Sequence, residues 1–219
     1  MSDHTTGLRR RERPAANPSK PAGAMVLLHG RGSDGDDLFP LIDMIDPESL
    51  LHGVTLQAPT QYEGMPGYHW YVVERVGHPD EPSFFASLEL IHAELDALCA
   101  ELGVTMADVI VGGFSQGAVM SVASALSTGR PKPAAVFEWS GFVPTVEGWD
   151  LDPDVAAGVG VLATHGIVDP IIPVHFGRVA NERLTEAGAN VEYREATMGH
   201  EIDPETILRA RELVTTRFA

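Results

Sequence analysis

A serine between two glycines carries the clearest chemical signal in the sequence. Residues 113–117 read Gly-Phe-Ser-Gln-Gly, and they follow an apolar run and precede a helical pattern. A G-x-S-x-G motif at such a sharp strand-to-helix turn needs its glycines to avoid clashes, and it leaves the Ser115 hydroxyl exposed. The N–H of Gln116 then faces the position where an oxyanion would form. The pattern predicts a nucleophilic serine. The alternative is a glycine-rich helix entry in which Ser115 is only a cap.

The position of two further residues along the chain predicts a base and an acid for this serine. A serine hydroxyl is a poor nucleophile until a base takes its proton, and the base needs an acid that holds its tautomer. His200 follows the last predicted strand, and Asp169 follows the strand before it. Because ligands and reactive groups of a parallel sheet gather at the carboxyl ends of its strands, we expect both side chains beside Ser115. The chain order of serine, aspartate and histidine is that of the α/β-hydrolases.

Each of these assignments has a simpler alternative. A lone loop histidine such as His200 is often a solvated polar residue or a cap, and Asp169 could serve only as an acid at a helix N-terminus. Three other aspartates precede the strand at 159–163 and should lie at the opposite edge of the sheet, which makes them weaker candidates. They are Asp150, Asp152 and Asp154. His29 and His165 each begin a His-Gly pair at a strand end, and we interpret both as structural.

A second glycine-rich stretch matches a nucleotide-binding pattern. Residues 30–35 fit G-x-G-x-x-G, a loop that binds the pyrophosphate of a dinucleotide between a strand and a helix. Acids at positions 34, 36 and 37 would crowd the phosphates, and the next strand ends in Ala58-Pro59-Thr60 without an acid for the ribose. We therefore favour a turn that points a backbone N–H into a cleft, and we expect no cofactor. The sequence has no H-E-x-x-H or C-x-x-C spacing, so no catalytic metal is predicted.

Hydrophobic periodicity predicts the elements that position these residues. Six apolar runs are typical of strands, at 24–28, 54–58, 109–111, 134–137, 159–163 and 191–194. Helical patterns lie between and after them, at 36–45, 83–102, 116–128, 172–187 and 204–218. In the longest helix, Ser83 is the predicted N-cap and Gly103 the predicted stop. The alternation predicts an α/β fold with a mainly parallel sheet and helices on both faces.

The 219 residues are expected to form one domain at 24–219 after a flexible polar N-terminal tail at 1–23. The tail contains four arginines and three prolines without an apolar run behind them. It therefore does not resemble a signal peptide, and we expect its basic cluster to be solvated.

Composition limits the partners of the protein. The chain has 15 lysine and arginine residues against 31 aspartate and glutamate residues, a formal net charge of -16. Nucleic acids and anionic membrane surfaces should be repelled. No run reaches the ~18 apolar residues that a membrane span needs. The single cysteine, Cys99, excludes an internal disulfide and fits a reducing cytoplasm, and its helical context favours a buried thiol over a nucleophile.

Five motifs make the sequence similar to a known family. They are Leu28-His29-Gly30-Arg31-Gly32, Ala58-Pro59, Gly113-Phe114-Ser115-Gln116-Gly117, His165-Gly166 with Asp169-Pro170, and Gly199-His200-Glu201. From about residue 24 to its end, the chain resembles the phospholipase/carboxylesterase family of the α/β-hydrolases, which includes the acyl-protein thioesterases. The resemblance implies an α/β-hydrolase fold without a cofactor, with Ser115, Asp169 and His200 as catalytic triad. It also implies an oxyanion hole formed by the backbone N–H groups of Arg31 and Gln116. An arginine at position 31 is similar to the bacterial carboxylesterases of the family.

The sequence departs from the family at three places. Members generally have an extra strand pair before the first predicted strand, and we expect a shortened sheet edge because residues 1–23 are polar. Two valines follow Tyr71 where thioesterase members tend to have an acid, which argues against a protein thioester as substrate. The strands at 134–137 and 159–163 lie too close in sequence for a large lid domain.

The loop at 60–83 is expected to cover the pocket. Its large side chains would form an apolar wall for the acyl group, or they are ordinary loop anchors. They are Tyr62, Met65, Tyr68, Trp70 and Tyr71. Trp70 is the predicted substrate-binding residue.

The predicted function is that of a serine carboxylesterase that hydrolyses small-molecule esters of short to medium acyl chains through an acyl-enzyme. An acyl-protein thioesterase or lysophospholipase is the alternative among enzymes. A non-catalytic ligand-binding protein on the hydrolase scaffold is the alternative of a different class. The sequence predicts no membrane insertion, and it leaves open whether the protein is a monomer or a homodimer.

Overall fold

A computed structural model describes residues 7–61, 64 and 66–219, and a seven-stranded sheet forms its centre. Across this sheet, the strands lie in the order β1 (Arg10–Arg13), β3 (His52–Leu56), β2 (Ala24–Leu28), β6 (Val109–Phe114), β7 (Ala135–Trp139), β8 (Gly160–Gly166) and β9 (Asn190–Ala196). Only β1 is antiparallel to its neighbour, so the predicted mainly parallel sheet is confirmed. A separate hairpin consists of β4 (Val73–Arg75) and β5 (His78–Pro79).

Helices cover both faces of the sheet, as the alternating pattern predicts. In the described part of the chain they are α1 (Phe39–Ile45), α2 (Glu81–Leu102), α3 (Gln116–Ala125), α4 (Pro153–Ala156), α5 (His175–Glu186) and α6 (Pro204–Phe218). Helices α1 and α6 pack on one face, and α2, α3 and α5 pack on the other. None of these helices combines the length and the apolar character that crossing a membrane requires.

Strand β2 shows how one buried strand serves both faces. Successive side chains of a strand point to opposite sides, and Val26 and Leu28 join the core beneath α2 and α3, whereas Met25 and Leu27 join the core beneath α1 and α6. Every residue of β2 is buried. This explains why the strand is uniformly apolar instead of alternating with polar residues.

The ends of α2 test the predicted helix signals. The N-cap is Asp80, three residues before the predicted cap Ser83, and its side chain accepts a hydrogen bond from the Ser83 N–H at 3.1 Å. Pro82 fits inside this first turn, where a missing N–H leaves no bond unmade. The predicted stop is confirmed: Gly103 has a φ of 66°, a left-handed conformation that favours glycine.

The edge of the sheet differs from the predicted flexible tail. Residues 10–13 form strand β1, and the side chain of Arg10 is only 2% exposed. Its guanidinium forms an ion pair with the buried Glu94 of α2 and donates a hydrogen bond to Glu101 at 2.8 Å. The prediction of a flexible tail is therefore wrong at residues 10–13, and the prediction of a solvated basic cluster is wrong for Arg10 and Arg13, whose side chains are 2% and 13% exposed. The sequence could not reveal this for Arg10, because its acidic partners Glu94 and Glu101 lie more than 80 residues away.

The connection between β7 and β8 carries only the short helix α4. Within the described residues no lid domain interrupts the sheet there, in agreement with the prediction. The β4–β5 hairpin instead borders a cavity at the carboxyl end of β6.

Candidate active site

The turn between β6 and α3 places Ser115 above the centre of the sheet. Its φ of 56° and ψ of -119° are strained values for a residue with a side chain. The flanking glycines are required by close packing: a Cβ on Gly117 would lie 2.0 Å from the Leu28 carbonyl oxygen, and one on Gly113 would lie 2.5 Å from Gly117. The Ser115 N–H donates to the Trp139 carbonyl at 2.9 Å, which ties the turn to β7.

His200 lies between Ser115 and Asp169. Its Nε2 is 2.8 Å from the Ser115 hydroxyl oxygen, and its Nδ1 is 2.6 Å from Oδ2 of Asp169. The ring of Phe114 packs against the imidazole with 4.7 Å between the ring centroids. The structure thus brings together the three side chains that the sequence places 85 and 31 residues apart. Such a contact chain can pass the serine proton to the imidazole while the carboxylate stabilises the resulting cation.

The loop after β8 holds Asp169 in a fixed orientation. Oδ1 accepts the backbone N–H groups of Ile171 at 2.8 Å and Ile172 at 2.9 Å, which leaves Oδ2 to face His200. His165 supports the same loop, since its Nε2–H donates to the Ile172 carbonyl at 2.7 Å. Burial lowers the pKa of His165, so this imidazole is neutral near pH 7. Its contacts match the structural interpretation.

The weaker candidates for the acid lie elsewhere. The carboxylate of Asp152 accepts the N–H groups of Asp154 and Val155, so it caps α4. This segment enters β8 from the amino end of the strand, whereas Asp169 follows its carboxyl end.

The two predicted oxyanion donors border the same cavity as the serine. Arg31 and Gln116 both line it together with Ser115. The first N–H groups of a helix have no acceptor one turn earlier, so the start of α3 offers donors. His29 shapes the approach to Arg31: its Nδ1–H donates to the Gly30 carbonyl at 2.7 Å, and its Nε2 accepts the Ala58 N–H at 3.0 Å. Burial lowers the pKa of His29 and keeps it neutral.

The glycine-rich turn at 30–35 packs against the loop at 66–69. Gly32 has a φ of 81°, and its N–H donates to the Tyr68 carbonyl at 2.9 Å. A Cβ on Gly67 would lie 2.1 Å from the Gly32 carbonyl oxygen, so the two segments touch through their backbones. Helix α1 begins only at Phe39 and does not start at the glycines. The glycines thus belong to a turn that packs against another loop, and the next helix starts further along the chain.

The side chain of Gln116 has a second role that the sequence pattern does not reveal. Its Oε1 accepts the Trp70 N–H at 2.8 Å, and its Nε2 donates to the Tyr71 carbonyl at 2.7 Å. One amide therefore fixes two consecutive backbone groups of the covering loop against α3. The only signal for this in the sequence is the glutamine within the serine motif.

The prediction of Trp70 as a substrate-binding residue is corrected by its burial. Trp70 is 0% exposed and is not among the side chains that line the cavity. Its indole N–H donates to the His29 carbonyl at 2.9 Å, so Trp70 is an anchor of the loop. The neighbouring Tyr71 lines the cavity instead. Tyr68 packs against the core, and Tyr62 and Met65 lie outside the described residues.

The cavity beside Ser115 is small and mostly apolar. Its volume is about 100 Å³. Its apolar lining includes Tyr71, Val73, Val76, Phe142 and Ile172. Two guanidinium side chains, those of Arg31 and Arg75, complete the wall.

Glu138 is a buried acid below the serine turn that sequence reasoning missed. It is 0% exposed, and neither carboxyl oxygen has a hydrogen-bond partner among the described residues. A Cβ on Gly141 would lie 2.8 Å from Oε1, which places the carboxyl beside the turn that holds Ser115. Burial raises the pKa of Glu138 to about 8, so the group is protonated at neutral pH.

In the part of the chain that the structure describes, no group of three histidine, cysteine or acidic side chains could hold a metal ion.

A mostly parallel sheet with a serine on a sharp turn after its central strand defines an α/β-hydrolase. The family model described as phospholipase/carboxylesterase matches residues 13–217. The chain therefore belongs to the phospholipase/carboxylesterase family, a family of hydrolases.

Individual relatives agree with this placement. Acyl-protein thioesterase 1 of Candida albicans is 28% identical over 189 residues, which are 79% of this chain and 81% of the thioesterase. The crystal structure of esterase PE8 has a TM-score of 0.80 and 28% identity, covering 96% of this chain and 99% of the esterase. The carboxylesterase of Bacillus cereus has a TM-score of 0.81 at 24% identity, covering 96% and 95% of the two chains, and shares the fold.

Proposed function

We propose that this protein is a serine carboxylesterase that hydrolyses carboxylic esters with short to medium acyl chains. The observation that carries the proposal is the contact chain from the Ser115 hydroxyl through His200 to Asp169, which opens on an apolar cavity. A ligand-binding protein needs none of these contacts, whereas acyl transfer needs all three groups in this order.

In the first step, Nε2 of His200 takes the Ser115 proton as Oγ attacks the ester carbonyl. The carbonyl oxygen becomes an oxyanion, which the backbone N–H groups of Arg31 and Gln116 stabilise. One such donor is worth roughly 3–4 kcal/mol in other serine hydrolases. The tetrahedral intermediate collapses, and the alcohol leaves with the proton from His200. Asp169 stabilises the imidazolium throughout.

In the second step, water hydrolyses the acyl-enzyme by the same contacts. His200 takes a proton from water as its oxygen attacks the acyl carbonyl, and the proton returns to Oγ of Ser115 as the acid leaves. The enzyme is regenerated without a cofactor.

The cavity supports the proposed chain length. A volume of about 100 Å³ with Phe142 and Ile172 in its wall suits a few carbons of an acyl group. No lid domain lies between β7 and β8 in the described residues, so the cavity is approached past the β4–β5 hairpin.

A thioester is the second candidate substrate, because the similarity to the Candida albicans acyl-protein thioesterase 1 extends over 79% of the chain. The same three side chains would attack a thioester carbonyl.

The free Cys99 supports the cytoplasm as the place of action, since a reducing compartment keeps thiols free.

A fluorophosphonate probe and an ester series test the proposal. The probe is expected to label Ser115, and p-nitrophenyl acetate and butyrate should be hydrolysed. Ser115→Ala should lose labelling and turnover, whereas Ser121→Ala, in the same helix, should keep both. Ser121 donates only to the Gly117 carbonyl one turn earlier. A folded wild-type protein that neither reacts with the probe nor hydrolyses any ester or thioester would refute the proposal and favour a binding role.

A further inference from the structure

The cavity beside Ser115 is lined by positive charge. Two of its lining side chains are arginines, Arg31 and Arg75, and none of the described residues that line it is acidic. The whole chain has a formal net charge of -16. A pocket that concentrates positive charge on a strongly acidic protein creates a local field that attracts anions against the general repulsion.

Arg75 differs from the other arginines of the described residues. Most of them form ion pairs, as Arg178 does with Glu195 at 2.7 Å, or donate to backbone carbonyls, as Arg183 does to Val143 at 3.0 Å. Arg75 has neither kind of partner among the described residues. Its five N–H donors are therefore available to a ligand in the cavity.

The position of Arg75 is set by a well-anchored hairpin. Arg75 ends β4, opposite His78 of β5. The hairpin turn is tied to the body of the protein because the Thr145 hydroxyl donates to the Gly77 carbonyl at 2.9 Å. Gly77 has a φ of 85°, and a Cβ there would lie 2.7 Å from the ring of Phe176. These contacts hold the backbone of the hairpin turn in place, and the exposed side chain of Arg75 forms part of the cavity wall.

We propose that the preferred substrates are esters whose acyl part ends in a carboxylate, and that Arg75 binds this carboxylate. The inference rests on the proposed esterase function and names its substrate class. A planar guanidinium binds a carboxylate through two parallel hydrogen bonds, which gives orientation as well as affinity. The apolar wall would contact the methylene groups between the two ends, and the ester carbonyl would lie at Ser115. Short dicarboxylic monoesters match this arrangement of charge, apolar length and reactive carbonyl.

Three methyl esters test the proposal with the full chain. Methyl valerate is neutral, monomethyl succinate is anionic, and dimethyl succinate keeps the succinyl skeleton without the charge. Acid release followed by titration at pH 7.5 yields kcat/KM for each ester. We expect the wild-type protein to favour monomethyl succinate over dimethyl succinate, and to lose this preference as sodium chloride is raised, since salt screens exposed charges.

Variants separate charge recognition from folding and chemistry. Arg75→Gln should lower kcat/KM for monomethyl succinate about tenfold, mainly through KM, and change it less than twofold for methyl valerate. Arg75→Lys should retain an intermediate preference because it keeps the charge but loses the two parallel bonds. Arg209→Gln removes the same charge from the exposed face of α6 and should leave the preference unchanged.

Equal losses on charged and neutral esters in Arg75→Gln, or no loss on either, would overturn the proposal while the esterase function stands. A wild-type protein without a preference for the anionic ester would do the same. If the wild-type protein hydrolyses none of the three esters and p-nitrophenyl acetate as well, the proposed function fails and the inference fails with it.

Discussion

The Gln116 side chain is hydrogen-bonded to the backbone of Tyr71. Its amide Nε2 donates to the Tyr71 carbonyl at 2.7 Å, while Oε1 accepts the N–H of the preceding Trp70 at 2.8 Å. The residue after the candidate nucleophile thereby positions the aromatic wall of the cavity. A single side chain at the start of α3 links the geometry of the proposed oxyanion hole to the geometry of the pocket.

Replacement of Gln116 should disturb activity through this link. In Gln116→Glu, a carboxylate oxygen would face the Tyr71 carbonyl, and two acceptors repel each other. We expect kcat/KM for p-nitrophenyl butyrate to fall at least tenfold, although the backbone N–H at position 116 is retained. Gln57→Glu is the matched control, because its side chain only accepts from Arg9 at the surface and a carboxylate can do the same. Wild-type kinetics in Gln116→Glu would show that the wall is positioned by other contacts.

Asp169→Asn should separate the fold from the chemistry. The Asn carbonyl oxygen can still accept the N–H groups of Ile171 and Ile172, so the loop should keep its shape. The amide nitrogen would then face Nδ1 of His200 and favour the tautomer with a proton on Nε2, which cannot accept the serine proton. By analogy with the same change in a serine protease, kcat should fall about 10³–10⁴-fold.

Circular dichroism and thermal unfolding would show that the Asp169→Asn protein is folded. Asp152→Asn, which alters only the cap of α4, should keep full activity. An Asp169→Asn protein with more than a tenth of the wild-type kcat would assign the acid role to another residue.

Glu138→Gln should change the pH dependence of stability. In the unfolded chain this carboxyl has its ordinary pKa of 4.5, whereas burial raises the pKa to about 8 in the fold. Between these values the folded protein retains a proton that the unfolded chain has released. The contribution of Glu138 to stability is thus complete below about pH 4.5 and is lost as the pH rises through 8. The glutamine of Glu138→Gln does not ionise, so the variant loses no stability from this position as the pH rises.

We therefore expect the melting temperature of Glu138→Gln to match that of the wild type near pH 5 and to exceed it by several degrees at pH 9. The groups that face this carboxyl are the Gly141 backbone and Tyr193 of β9, and neither supplies a positive charge. Glu147→Gln at the surface is the control and should leave the profile unchanged. Parallel pH profiles for Glu138→Gln and the wild type would contradict a neutral buried acid.

Removing one partner of the buried ion pair between Arg10 and Glu94 should destabilise the protein strongly. Replacing both partners by apolar residues should destabilise it little. Both side chains are almost completely buried, at 2% and 1% exposed. Arg10→Met leaves a buried carboxylate without its partner, and we expect the free energy of unfolding to fall by about 3–5 kcal/mol. The double variant Arg10→Met/Glu94→Leu should recover most of this loss, because an apolar pair needs no charge compensation.

Urea unfolding at neutral pH measures both changes. Arg11→Met is the matched control: Arg11 pairs with Asp36 at the surface, and such pairs contribute about 1 kcal/mol or less. A loss in Arg10→Met no larger than that in Arg11→Met would mean that β1 is held by its backbone bonds alone.

The sheet could be predicted because its signals are local. Strand β2 coincides with the predicted run at 24–28, and α6 coincides with the predicted helix at 204–218. Buried parallel strands are uniformly apolar, and Asp203 with Pro204 mark the start of α6. The meeting of Ser115, Asp169 and His200 also follows from order alone, because each lies just after a strand of the same sheet. Their catalytic role stays a prediction.

What the sequence could not reveal depends on partners far along the chain. Strand β1 consists of charged residues, and two acids of α2, Glu94 and Glu101, explain why Arg10 turns inward. Trp70 and Tyr71 are equivalent as aromatic loop residues, and the His29 carbonyl determines that Trp70 is the buried anchor. Glu138 continues an apolar run that was expected to end at Phe137, and no local signal marks it as protonated.

Strand β1 also has a consequence for the behaviour of the protein at high concentration. All four of its residues are charged, and they form one margin of the sheet. At the opposite margin, β9 carries charges at Glu192, Arg194 and Glu195. A further strand from another molecule could join either margin only beside charged side chains, and such charges protect proteins against edge-to-edge aggregation. The most apolar strands therefore lie in the interior of the sheet, and both edge strands disfavour the addition of a further strand.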